Sequence, residues 1–472
     1  MAEPVADAEP AVIPSAPLAG EVLERPRSLA CLPTAEDFTR RVPGHQYSLG
    51  TMALYLELVL SAPCSQRAAS VILGWLTQLR SGWEETPCAN AGRTWLFRLG
   101  LYELTCPKGA GDDWVWLVDH TVQLGSRKGL VIVGLPLSAW QQNPRPLEHQ
   151  DVRLLHLEPM EHSDGRAVQQ ELAKTAAAHG IPRAIVSDGG PDVKKGIELF
   201  RQDHSRVAHV YDIKHKVALL LKKELERNNV WDEFVNEANV GRRGVTLTAA
   251  AFLVPPALKS KARYMNLDRL VAWGGKVLAY LDHPRELQGG SGNAKRVEAR
   301  FGWLRKYRQR LAEWSALMAV AEAGENYVRH QGLHDAAAAE LQTRLEPLAT
   351  CPPSRRLKDA LLEFVVQQAA AAQPHERLIG STEVLESIIG KYKRLQGMHS
   401  GDGMTRMILS IGALVGRRCQ ETLRQALTHV SNNDLTAWCQ DHLGITLQAC
   451  RKLAFAPEQN PPPIPLAPAP SF

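Results

Sequence analysis

Three carboxylates spaced widely along the chain, Asp119, Asp188 and Glu386, stand where acidic side chains suit shared work on a metal. Asp119 interrupts the apolar run Trp114-Val115-Trp116-Leu117-Val118. A charge inside a central strand is expensive unless it is paired or ligates a cation. Asp188 ends the run Arg183-Ala184-Ile185-Val186-Ser187 and is followed by Gly189-Gly190. Ligand sites of open sheets lie at the carboxyl ends of parallel strands, and glycines there permit a sharp turn with close backbone approach. Glu386 is read from helix geometry. At about 100° per residue, Val384, Leu385, Ile388, Tyr392 and Leu395 cluster opposite it, while Lys393 lies nearly in line and Gly390 leaves that face open. Glu383 shares roughly the same face and is the alternative. Hard carboxylate oxygens converging from separate elements hold divalent cations. Two such ions about 3.5–4 Å apart activate a nucleophile and stabilise a leaving oxygen in phosphodiester cleavage. Taken singly, each residue also has an ordinary explanation: a strand-end aspartate, an Asp-Gly turn, a solvated Glu–Lys face.

A fourth cluster is Tyr211-Asp212-Ile213-Lys214-His215-Lys216. Asp212 is either an accessory carboxylate or, preferred, the N-cap of a helix. His215 is either a contact to substrate or the acidic cluster, or a structural histidine. Lys214, Lys216, Lys222 and Lys223 form a basic run, and Lys391, Lys393 and Arg394 form another. Either run can follow a phosphate backbone or simply be a solvated face.

The elements that must position these groups follow from hydrophobic pattern. WVWLVDHTV, LVIVGLPL, VRLLHLEP, RAIVSD and VAHVYD read as five strands, the first two joined as a hairpin. Asp164-Gly165 opens a helix that Gly180 closes, and helices follow the fourth and fifth strands. The order βββαβαβα describes a three-strand meander extended by parallel strands, the order of the ribonuclease-H-like α/β fold. Before it, residues 48–76 carry two helices broken at Pro63-Cys64-Ser65, with Ser65 as an N-cap, and a further short helix lies around Arg93 to Leu99. This is a helix-turn-helix pattern. From about 228 the strand signal vanishes and long helices are expected. Another helix spans 378–396 with Glu386, and 404–450 is helical again. The expected division is a disordered or extended tail over 1–44, a helix-turn-helix region over 45–105 and the first part of the core over 110–227. A helical insertion over 228–375, the rest of the core over 376–450 and a disordered Pro-rich tail over 451–472 complete it.

The net charge of +5 is compatible with nucleic acid without requiring it. Eight cysteines form no CxxC pair and sit beside no metal-spaced histidine pair, so neither a zinc site nor a disulfide framework is expected. A reducing, cytoplasmic setting fits. No charged start leads into an apolar run, so no signal peptide is expected, and no apolar stretch approaches membrane-spanning length.

Together and in this order, these blocks resemble the DDE transposases of bacterial insertion sequences. WLVDHTVQLG resembles the family's first catalytic strand, at Asp119, and AIVSDGGPDVKKGI resembles its second-aspartate block, at Asp188. VYDIKHKVALLLKKEL resembles a segment with a D-x-x-H pairing, here Asp212 and His215. STEVLESIIGKYKRL resembles the helix whose catalytic glutamate precedes a K-x-K pair, here Glu386 with Lys391 and Lys393. RTWLFRLGLYEL resembles the end of the amino-terminal DNA-binding helices, with Arg93 and Arg98. The common E-x-x-N pattern is absent, since Ser387-Ile388-Ile389-Gly390 follows Glu386. The resemblance, over roughly 45–425, implies two Mg²⁺ ions, replaceable by Mn²⁺, on Asp119, Asp188 and Glu386. It implies cleavage at transposon ends and transfer of the 3′-hydroxyl to target DNA. The implied partners are double-stranded DNA with terminal inverted repeats and a second copy of the chain on paired ends. Two alternatives share the fold: a structure-specific nuclease, and a co-opted transposase that binds DNA as a regulator without chemistry.

Overall fold

The computed structural model describes residues 32–456 apart from 63, 80–84, 123–126, 228, 247, 249, 258–266, 284–291, 399–403, 417 and 445–446. Of the tails expected at 1–44 and 451–472, residues 1–31 and 457–472 lie outside the described residues, and residues 451–454 belong to a helix. Residues 36–38, read as part of the first tail, form a 3₁₀ turn instead. It packs on the first helix, where a Cβ on Gly50 would lie 2.7 Å from the Phe38 ring.

Helix α1 (Leu49–Leu60) opens at Ser48, whose hydroxyl accepts the Thr51 N–H. Helix α2 (Gln66–Leu79) opens at Ser65, whose hydroxyl accepts the Ala68 N–H at 3.1 Å. Helix α3 (Ala89–Thr105) is longer than its apolar pattern suggests. These helices share one hydrophobic core with the sheet, through Leu49, Leu73, Leu96 and Leu101.

The sheet has five strands in the order β3-β2-β1-β4-β5. Strand β1 (Trp114–Val122) is central, β2 (Lys128–Pro136) is antiparallel to it, and β3 (Arg153–Met160) is antiparallel to β2. Strands β4 (Ala184–Ser187) and β5 (Ala208–Tyr211) continue parallel to β1 on its other side. This is the ribonuclease-H-like arrangement. Alternation assigns each side chain a face. Val115, Leu117, Val131, Val133, Val186 and Val210 point into the larger core. Trp114, Trp116, Val118, Leu130, Ile132 and Ile185 point into the other. Covering both faces explains why the strands read as nearly continuous apolar runs.

The short helix α4 (Leu137–Gln141) follows β2. Helices α5 (Gly165–His179) and α6 (Pro191–Asp203) cover the second face, and Asp164 caps α5 by accepting the Arg166 and Ala167 N–H groups. Helix α7 (Ile213–Leu225) leaves β5 on the first face.

An all-helical insertion follows: α8 (Val230–Val245), α9 (Asp268–Asp282), α10 (Gly292–Phe301), α11 (Arg308–Gln331), α12 (Ala337–Leu345) and α13 (Pro352–Ala369). It protects the sheet edge. The Tyr211 N–H of edge strand β5 donates to Gln368 of α13 at 2.8 Å. Arg183, ahead of β4, makes a two-pronged ion pair with Glu376 and donates to the Ala371 carbonyl.

The chain then returns through 370–382 to α14 (Glu383–Gly397). The helix starts later than its pattern suggests, because Leu378 pairs with Leu333 as an extended bridge. Helices α15 (Ser410–Leu414), α16 (Gln420–His429), α17 (Asn432–Leu443) and α18 (Leu447–Ala454) close the fold. Helix α15 crosses α3 backbone to backbone: a Cβ on Gly412 would lie 2.4 Å from the Gly100 carbonyl oxygen. Among the described residues, no helix is long and apolar enough to cross a membrane.

Candidate active site

Strand register brings the acidic residues together. Val118 pairs with Ser187, and Ser187 pairs with Tyr211. The next residue on each strand path is an aspartate: Asp119, Asp188, Asp212. They form one rank across three neighbouring parallel strands, whose spacing is about 4.8 Å. Parity points all three to the larger core, since Leu117, Val186 and Val210 precede them by two residues on that face. His120 takes the opposite face, 3.0 Å from the Ser163 hydroxyl and 3.7 Å from Asp192.

Asp119 carries the electrostatic signature of the group. Burial first, and the Asp188 charge second, push its carboxyl up to about 7; Glu386 adds to the rise, while the His120 N–H and the His215 charge oppose it. Burial and the neighbouring Asp188 charge together make the ionised form of Asp119 costly. Asp188 accepts the Gly190 N–H at 2.9 Å. Gly189 turns the chain with φ +76°, and a Cβ there would lie 2.1 Å from the Tyr211 ring. Gly189→Ala should therefore lower stability by roughly 2–4 kcal/mol from left-handed strain and overpacking together. Denaturant unfolding measures this, and a variant as stable as the parent would mean that the turn relaxes without cost.

Asp212 is 1% exposed and fully engaged. It caps α7 by accepting the His215 N–H at 2.9 Å, and the same oxygen lies 2.9 Å from His215 Nδ1. Its other oxygen accepts the Thr382 N–H at 2.7 Å. Burial alone would raise its pKa, but these hydrogen bonds hold it below the usual range. Asp212 therefore fastens the start of α14 to the start of α7, helped by the Ile213 N–H donating to the Gly380 carbonyl at 3.0 Å.

Glu386 lies in the first turn of α14, whose buried residues are Val384, Leu385, Ile388, Ile389, Tyr392 and Leu395. A Cβ on Gly390 would meet nothing within 4 Å. Lys214 Nζ donates to Glu386 at 2.8 Å, and His215 Nδ1 is 3.6 Å from its other oxygen. Asp212, His215 and Glu386 each offer a metal-ligating atom within 4.8 Å of the others. For His215, burial opposes the positive form, but the bond to Asp212 and the charges of Glu386 and Asp188 raise its pKa overall. Glu383 turns elsewhere, with one oxygen 2.5 Å from Arg329 Nε.

The basic residues divide. Lys214 serves Glu386, and Lys216 stands 5.3 Å from the centre of the Phe364 ring. Lys393 and Arg394 are exposed and Lys391 is half-buried. Arg98 is spent inside the protein, on His45 and the Leu427 carbonyl, and Arg93 is half-buried on the same helix. Glu325 of α11 also joins this region. Burial pushes its carboxyl up to about 7 against the pull of Lys214. Nothing in the surrounding sequence AVAEAGENYV marks it.

No family model matches the chain, and none of the curated proteins matches it in sequence. Among solved structures, the chain is similar to the Drosophila P element transposase strand transfer complex, with a TM-score of 0.38 and 9% identity, covering 83% of this chain and 94% of that one.

Proposed function

We propose that this chain is a DNA transposase of the kind carried by bacterial insertion sequences, cleaving DNA at transposon ends and joining the 3′-hydroxyl to target DNA. The observation that supports this most is the rank of Asp119 and Asp188 on adjacent parallel strands, with Glu386 contributing to the charge around Asp119. Asp119, Asp188 and Glu386 are the proposed catalytic residues and the ligands of two Mg²⁺ ions, with Mn²⁺ as a substitute. The fit rests on the hard carboxylate oxygens that the strand register brings side by side at Asp119 and Asp188; burial first, and the Asp188 charge second, make the ionised Asp119 costly without a cation. When bound, such ions supply an activated nucleophile and a stabilised leaving oxygen. The chain's own groups set the stage. Lys214 holds Glu386 while its charge is unbalanced, Asp212 with His215 fixes the height of α14, and Lys393 with Arg394 offers exposed charge to a DNA backbone. The proposed partners are double-stranded DNA carrying terminal inverted repeats, the target duplex, and a second copy of the chain on paired ends.

The direct test pairs Glu386→Gln with Glu383→Gln in a cleavage and strand-transfer assay on terminal-repeat DNA. Glu386→Gln should lose metal-dependent cleavage, while Glu383→Gln, which only frees Arg329, should keep it within a few-fold. The reverse pattern would make Glu383 the catalytic glutamate of α14. Cleavage without joining would make the protein a nuclease, and end binding without cleavage a regulator.

A further inference from the structure

At the far edge of the sheet from the acidic rank, a second set of metal-ligating side chains converges. His156 and Glu158 stand two residues apart on edge strand β3, and Glu171 comes from α5, which packs on that strand. Each offers one ligand atom, and the three atoms lie within 4.8 Å of one another. His156 Nε2 is 2.8 Å from Glu171 Oε2. His442 of α17 places Nδ1 2.9 Å from Glu158 Oε2.

This is more than a surface cluster of acids. Glu171 is 7% exposed, and its neighbours Val168 and Leu172 are core residues. A carboxylate at a helix–sheet interface is costly unless it is neutralised. Its partners here are an imidazole and Lys174, whose side chain is 65% exposed. An exposed lysine stabilises little and can swing away. The outer side opens on a cavity of about 590 Å³ lined by Cys106, Lys108, His156, Glu158, His179 and His442, with room for a water as a further ligand.

We propose that His156, Glu158 and Glu171 bind one Zn²⁺ ion, with His442 orienting Glu158 and so fastening α17 to the sheet edge. An imidazole nitrogen among carboxylates selects zinc over magnesium. The site is independent of the proposed transposase chemistry.

The test uses the full chain with Asp119→Asn, Asp188→Asn and Glu386→Gln, which removes the acidic trio as a competing site. After stripping with a chelator, Zn²⁺ is titrated against a chromophoric competitor. One Zn²⁺ per chain should bind at submicromolar strength, and excess Mg²⁺ should not displace it. His156→Ala should weaken binding at least a hundredfold, and His442→Ala about 10–100-fold, the usual scale for a residue that orients a ligand. Circular dichroism checks folding, and Glu171→Gln, which keeps the side-chain volume, provides a second variant if His156→Ala does not fold. Unchanged zinc affinity in the folded ligand variants, or no binding tighter than micromolar in the starting chain, would overturn the site. Neither result depends on DNA cleavage.

Discussion

Asp119→Asn should abolish metal-dependent DNA cleavage and, in metal-free buffer at pH 8, make the protein more stable. The two effects have one cause. Asp119 sits where burial and the charges of Asp188 and Glu386 push its carboxyl up to about 7. An unfolded chain ionises the same group near pH 4. Between these values the folded protein holds a proton that the unfolded chain has released. Stability therefore falls as pH rises through that window and stays lower above it. A shift of this size corresponds to at most about 4 kcal/mol, spread over groups that titrate together. Asparagine carries no charge to repel, so the variant should lose the Asp119 share of this fall, while the Glu325 carboxyl, also raised to about 7, keeps its own. Cleavage should drop on the order of a thousandfold or more, the scale seen when one preorganised electrostatic contact is lost. Chemical unfolding in chelator across pH 4.5 to 8 reads the stability, and added Mg²⁺ should reverse the order by stabilising only the parent. A parent whose stability does not fall between pH 5 and 7, or a variant that cleaves normally, would contradict the assignment.

How far the sequence discloses this site depends on whether the relevant physics is local. Strand alternation is local, so Asp119 in an apolar run and Asp188 before two glycines are visible at once. Helix periodicity is local too, and it correctly identifies the buried face of α14, opposite Glu386. The shared rank of Asp119, Asp188 and Asp212 is not local. It needs the register between β1, β4 and β5, which packing sets across the sheet. The same holds for Lys214. In sequence it belongs to a basic run with Lys216, yet one lysine meets Glu386 172 positions away and the other a phenylalanine ring. The choice between Glu383 and Glu386 turns on Arg329, in a helical insertion whose packing no motif announces. The amino-terminal helices are legible as helices. Their shared core with the sheet is not, because the contact of Gly100 with α15 joins segments some 300 residues apart.

Asp212 separates positioning from chemistry, and its substitution should show which it does. Its carboxylate accepts from Thr382 and from His215 twice, with 1% of the residue exposed. Asp212→Ala leaves two backbone N–H groups and an imidazole without their acceptor in a buried setting. The expected loss is about 3–5 kcal/mol, the range for breaking a buried charged pair from one side. Asp212→Asn keeps the volume but turns an NH₂ toward a donor, and should cost roughly 1–3 kcal/mol. If Asp212 works by clamping α14 to α7, cleavage by the asparagine variant should fall because Glu386 is misplaced, while the Mg²⁺ concentration for half-maximal activity stays nearly constant. A carboxylate that itself held the ion would give the opposite result, with a large rise in the Mg²⁺ requirement and little loss of stability. His215→Ala combined with Asp212→Asn completes the test. Partners in one network should lose less together than the sum of their separate losses, whereas additive losses would show that Thr382 alone carries the clamp.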